Sequence, residues 1–202
     1  MQLYHAPKAV SPERTHSFLK LKGRLDAVEI IEISIMKGEH LAPDYRALSP
    51  YAQVPVLILE DGTPITETRA ICTYFEGIFP EPNLMGETPK EKALIEMWDR
   101  RIEQLQLMNI ATWFRNTNEF MAPLEKPQLP EAGAKAETRV RKFVETLEAH
   151  LSDNEWLAAD RLTIADLTLY QTCSFSAVVG WKPHREYEHI GRHHGAVKAR
   201  LA

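Results

Sequence analysis

The sequence predicts an α/β unit followed by an all-helical one within its 202 residues. Three observations carry this expectation. Up to Pro80 short apolar segments alternate between strand and helix spacing, prolines at 80, 82 and 89 then punctuate the chain, and beyond them only helical periodicity recurs. The boundaries read 1–80 for the α/β domain, 81–88 for a linker and 89–202 for the helical domain.

Gln2–His5 opens as a strand, and Ser11-Pro12 starts a helix. Val28–Ser34, rich in β-branched residues, is the second strand, and the polar stretch from Lys37 to Ser49 has room for a short helix. Val56–Leu59 and Pro64–Thr66 read as a hairpin around Glu60-Asp61-Gly62. From Glu67, Ala70, Ile71, Tyr74, Phe75 and Ile78 recur at helical spacing and close a βαβαββα order. In the second domain one long helix is marked by Leu94, Met97, Trp98, Ile102, Leu105 and Met108, another by Val140, Phe143, Val144, Leu147 and Leu151. Pro123, Pro127 and Pro130 fall in a surface loop between them. Arg161 to Leu167 spells a helix start in which Thr163 caps, Asp166 returns the bond, and Leu162 with Leu167 forms a hydrophobic staple.

Composition narrows the function classes. A 44% hydrophobic content suffices for a sizeable core. With 24 Lys+Arg against 28 Asp+Glu the net charge is −4, which argues against a nucleic-acid partner. No run approaches the ~18 apolar residues of a membrane span, and MQLYHAPKAV lacks the apolar stretch of a secretory signal, so a cytoplasmic protein with no membrane partner is expected. Cys72 and Cys173 fit no redox or zinc spacing and read as small core residues. His189 and His193 are four apart, with His184 and His194 nearby, but no carboxylate or cysteine motif completes a metal site. A solvated C-terminal helix and no metal are expected.

Pro55 stands just before a strand, where it withholds no needed N–H and where a cis bond makes a tight turn. Twelve residues on, Glu67-Thr68 stands at a helix start, where N–H groups and the helix dipole favour a carboxylate. Together, in the string QVPVLILEDGTPITETRAI, they closely resemble the glutathione-binding segment of cytosolic glutathione transferases, whose first domain is thioredoxin-like. The neighbourhood LYHAP resembles bacterial, serine-type and theta-like members, and the Thr163–Asp166 box recurs in the family's second domain.

The resemblance implies a glutathione transferase that uses glutathione as co-substrate, needs no metal, and forms a homodimer. It implies a cis Pro55, main-chain pairing of the Gln53-Val54 segment with the cysteinyl part of glutathione, and Glu67 and Thr68 at the γ-glutamyl end. Family members usually carry Ser at the position of Thr68. His40 matches a region that meets the glycine carboxylate, and also reads as a solvated loop histidine.

Ser11 is the candidate catalytic residue, its hydroxyl and the positive end of its helix both lowering the pKa of the glutathione thiol. The plainer reading makes Ser11 an N-cap. Tyr4, inside its strand, reads as a packing residue. The segment KAVSPERTHSFLK departs from the usual bacterial form, which leaves Val10 and Thr15 as alternatives. Trp98, Arg101, Leu105, Met108, Trp113 and Arg115 are candidates for the wall that meets a small hydrophobic electrophile. Peroxide reduction, double-bond isomerisation, or a binding protein that kept the fold and lost the reaction are the competing functions.

Overall fold

Burial alternates along Gln2–His5, with Leu3 and His5 inward, as a strand's two-residue period demands. This strand, β1, is an inner strand of a four-stranded sheet in the computed structural model, which describes residues Met1–Ala202. The sheet order is β2-β1-β3-β4, where β2 is Glu29–Glu32, β3 is Val56–Ile58 and β4 is Pro64–Thr66. β2 runs parallel to β1 with Leu3 opposite Ile30, and β3 antiparallel with Leu3 opposite Leu57. β4 completes the hairpin with Leu57 opposite Ile65. Pro64 is tolerated because β4 is an edge strand. Gly62 supplies the positive φ of 84° that the hairpin turn requires, and Asp61 Oδ1 accepts the Thr63 N–H at 2.9 Å.

Helix α1 (Val10–Leu21) follows β1, α2 (Pro43–Leu48) follows β2, and α3 (Thr68–Ile78) follows β4, giving the βαβαββα order. Phe18 and Leu19 of α1 and Ile71, Cys72 and Phe75 of α3 are fully or almost fully buried, and each of the larger side chains contributes about 1.5–3 kcal/mol. The buried stripe of α3 is Thr68, Ile71, Cys72 and Phe75, so Ala70 and Ile78, expected inside, are exposed. At the far end of α1 the ammonium of Lys22 is sealed from solvent. It pairs with Glu76 at 2.5 Å and donates to the Pro82 carbonyl at 2.6 Å. A buried charge held this way stabilises only because its partners are complete.

Chain contacts divide the protein into Met1–Leu84 and Met85–Arg200, so the stretch 81–88 is shared between the two units. The second unit consists of helices alone. Thr88 caps α4 (Pro89–Arg101), accepting the Glu91 N–H at 3.2 Å. α4 runs through a π-helical stretch, Ile102–Leu107, into α5 (Met108–Thr117). The wider π turn shifts the phase of the apolar stripe. Gln106, Leu107 and Ile110 are buried as a result, while Leu105 and Met108, which uniform spacing puts inside, are exposed. After the exposed loop come α6 (Pro130–Asp153), α7 (Ile164–Phe175), α8 (Pro183–Glu186) and α9 (Glu188–Arg200). Pro89 and Pro130 open helices, where a missing N–H removes no helical bond. Pro130 is thus a helix start, not part of the loop.

Val140, Val144, Leu147 and Leu151 form the buried face of α6. Cys72 and Cys173 are free and buried, and burial pushes the Cys173 thiol up to about 12. The C-terminal helix corrects an expectation. It is not a solvated polar helix: Ile190, His193 and Val197 are buried, and His193 Nε2 donates to Asp166 at 2.9 Å. Alternation of apolar residues with histidines hid this face.

Candidate functional site

Three local features of the first unit converge in type. The first is the start of α1. Its N-cap is Ala9, which offers no side-chain cap, so Ser11 is the second residue of the helix and not its cap. This removes the plainer reading of Ser11, because a capping hydroxyl must precede the first turn to reach its N–H groups. Pro12 has no N–H and Glu13 N already donates to the Ala9 carbonyl at 3.0 Å. The donors open at this end are therefore those of Val10 and Ser11, with the half-buried Ser11 side chain beside them.

The second feature is the start of α3. Its N-cap, Glu67, is exposed and makes no side-chain cap bond. Its backbone sits at φ 70°, ψ 120°, a sparsely populated region for a residue with a side chain. Thr68 is buried, and its hydroxyl donates to the Ser11 carbonyl at 3.3 Å. That bond ties the two helix starts together. The methyl that distinguishes Thr from Ser at this position is accommodated in the core.

The third feature is the turn before β3, where the Val54–Pro55 peptide is cis. Its approach is braced by two buried side chains. Tyr45 Oη and Ser49 Oγ both donate to the Gln53 carbonyl, at 2.7 and 3.1 Å, and Ser49 Oγ accepts the Gln53 N–H at 3.1 Å. Burial raises the Tyr45 hydroxyl's pKa, which keeps it a donor. Val54 lies outside the ladder, which begins at Val56.

The other candidates divide. His40 lies in a short 3₁₀ turn, half-buried, its Nδ1 enclosed without a partner, so it is not a freely solvated loop residue. The Tyr4 ring packs edge-on against Tyr45 at 5.7 Å, consistent with a packing role. Thr15 is completely buried in α1 and cannot meet a ligand, and Val10 contributes its backbone at the helix start.

Of the six residues expected to form an electrophile wall, Trp98 is buried, Trp113 is half-buried, and the other four are exposed. Trp98 is a core residue, 4.3 Å from the His150 ring and covered by the Arg101 guanidinium at 5.0 Å. Trp113 packs 6.3 Å from Trp181, and both rings hold Arg141. Leu105, Met108 and Arg115 are exposed, and the run from Trp98 to Arg115 is about 25 Å long.

Sequence reasoning missed a groove of about 430 Å³ in the first unit. The loop between β1 and α1 forms one side with Ala6 and Pro7, and the segment after β2 forms the other with Ile33, Ile35 and Met36. Ile35 and Met36 are exposed, and nothing periodic in the sequence marks them. Glu13, which anchors that first loop, was also missed.

A four-stranded sheet of this topology, with a cis-proline turn and two uncapped helix starts, followed in the chain by an all-helical unit, defines the class: a thioredoxin-like domain joined to a helical domain. Comparison with known proteins narrows it. Residues 10–78 match the family model described as glutathione S-transferase, N-terminal domain, and residues 113–200 match glutathione S-transferase, C-terminal domain. Glutathione S-transferase 2 of Saccharomyces cerevisiae is 31% identical over 93% of this chain and 81% of its own length. Among solved structures, a glutathione S-transferase domain-containing protein of Marinobacter aquaeolei superposes with a TM-score of 0.93 at 33% identity, and Gtt2 of S. cerevisiae with 0.91 at 28%, each over 100% of both chains. The chain belongs to the glutathione S-transferase family.

Proposed function

We propose that the protein is a glutathione transferase that binds glutathione along the first unit and activates its thiol at the start of α1. The observation that carries this reading is the Thr68–Ser11 bond, which holds two uncapped helix starts side by side. Glutathione has a carboxylate at its γ-glutamyl end and a thiol in its middle, and each has a matching positive helix end. Gln53, Val54 and Pro55 would offer the extended main chain that pairs with the peptide portion, Glu67 and Thr68 would hold the γ-glutamyl end, and His40 the glycine carboxylate.

The free thiol titrates near ~8.5, and lowering it by two units requires about 2.7 kcal/mol. A hydroxyl bond to sulfur and the dipole of a twelve-residue helix are together of that order. Ser11 is the catalytic residue in this reading. The thiolate then attacks a small electrophile, for which the groove next to the loop entering α1 offers the apolar Ile33, Ile35 and Met36 among polar neighbours Glu32, Ser34, Lys37 and Glu39. The Leu105 and Met108 side chains, apolar and exposed, are the remaining electrophile candidates from the helical unit. A cytoplasmic homodimer completes the proposal.

Two measurements test it. Retention on a glutathione-affinity column is expected, and passage straight through would remove the reading altogether. Thiolate absorbance of bound glutathione against pH is expected to shift upward in Ser11→Ala. An unchanged titration would leave activation to the helix backbone alone. Activity against aryl halides, peroxides and epoxides separates transfer from peroxide reduction.

A further inference from the structure

We propose that Glu13 is a positioning residue for thiol activation: its carboxylate holds the loop before α1 in the shape that turns the Val10–Ser11 donors toward the sulfur. This rests on the reading that the thiol lies at the start of α1. Glu13 Oε1 accepts the Lys8 N–H at 2.9 Å, reaching backward across the helix start it belongs to. Lys8 has φ 68°, a left-handed conformation that a residue with a side chain adopts at a penalty. A hydrogen bond from an amide to an ionised carboxylate is strong enough to hold it there. The loop is short, with Ala9 N donating to the Ala6 carbonyl at 3.2 Å, so the geometry at Lys8 is passed directly to Val10 and Ser11.

His5 fixes the start of this loop through its backbone. It ends β1, is buried, and places Nε2 3.7 Å from the same Glu13 oxygen. Its carbonyl accepts the Ile33 N–H at 2.8 Å, which ties the strand end to the opposite side of the groove. The groups facing its ring are Glu13, His16 at 5.2 Å, Glu32 and the Pro12 backbone. Burial lowers its pKa, so near neutral pH the ring is uncharged and the Glu13 carboxylate is left to Lys8.

The position of Glu13 makes the proposal separable from simple electrostatics. A carboxylate near a thiolate disfavours the thiolate, so if charge alone mattered, removing Glu13 would lower the thiol's pKa. Positioning predicts the reverse. The experiment is thiolate absorbance of bound glutathione against pH, with kcat and KM, in wild type, Glu13→Ala, Glu13→Gln and the double variant Lys8→Gly/Glu13→Ala. Glu13→Ala is expected to move the titration toward the free value of ~8.5 and to lower kcat about fivefold with KM little changed. Glu13→Gln keeps the acceptor and should titrate close to wild type. Lys8→Gly should restore the Glu13→Ala titration, since glycine takes the left-handed conformation unaided.

A downward shift in both single variants, or a Glu13→Ala titration identical to wild type, would overturn the proposal. So would equal defects in Glu13→Ala and Glu13→Gln. Hydrogen exchange of the Lys8 amide, measured without glutathione, keeps the two readings apart. Fast exchange of the residue-8 amide in the two variants that lack the acceptor, Glu13→Ala and the double variant, supports the loop restraint, and equal exchange in all variants overturns it. A wild-type thiol that titrates at its free value overturns the placement of the thiol instead.

Discussion

The starts of α3 and α7 solve the same problem in opposite ways. At α7 a capping box closes the start: Asp166 Oδ2 accepts both the N–H and the hydroxyl of Thr163 at 2.8 Å, and Oδ1 accepts Leu157 N and His193 Nε2 at 2.9 Å. Thr163, Asp166 and His193 are all buried. At α3, Glu67 makes no cap bond and adopts a backbone conformation that costs about 1–3 kcal/mol. A helix end closed by its own side chains adds to stability and can do nothing else. A helix end left open, at a penalty the surrounding fold absorbs, is available to a ligand. The first unit invests in the second kind, the helical unit in the first.

Asp166→Ala tests the closed end and carries the largest expected effect. It strands four donors in a buried site, and a loss of at least ~4 kcal/mol is expected in urea denaturation, enough to abolish folding. Next comes acid. His194 stacks on His184 at 4.1 Å and on Tyr170 at 4.5 Å, and burial, with His184, His193 and Lys198 nearby, lowers its pKa to about 4. Its unfolded value lies near 6.5, so the unfolded chain binds the proton more tightly. The contribution of His194 to stability is full above about pH 6.5 and is lost as pH falls toward 4. Denaturation midpoints at pH 7 and pH 5 should differ less in His194→Phe than in wild type.

Glu67→Gly addresses the open end. Removing the side chain relieves the backbone, so thermal stability should rise by about 1 kcal/mol while glutathione affinity falls. Parallel movement of the two would show that the strain is unrelated to binding. Thr88→Ala, at an ordinary capped start, has the smallest effect: about 1 kcal/mol in the same denaturation assay, with no change in glutathione affinity.

The contrast also explains what the sequence made legible. Side-chain devices leave a pattern, so the Thr163–Asp166 box, the Glu60-Asp61-Gly62 turn and the extent of β1 were readable from residues 163–166, 60–62 and 2–5. Backbone devices leave almost none. The left-handed Lys8, the strained Glu67 and the N-cap at Ala9 sit at residue types that carry no signal for them. The segment from Gln53 to Ile71 is assigned to glutathione by resemblance and not by propensity. The electrophile candidates rest on a single helical period, from which the stretch Ile102–Leu107 departs, so burial along this run does not follow that spacing.

That same stretch has a consequence for how the chain tolerates changes in length. Deleting a residue from an α-helix rotates everything downstream by about 100° and exchanges its inner and outer faces. Within Ile102–Leu107 the helix already holds one residue more than the α repeat needs. Loss of the exposed Gln104 would let the segment relax into regular α-helix, leaving Ile110 and the rest of α5 facing the core they face now. In a helix where every other position is fixed in register, this is the place where a one-residue indel can pass without repacking.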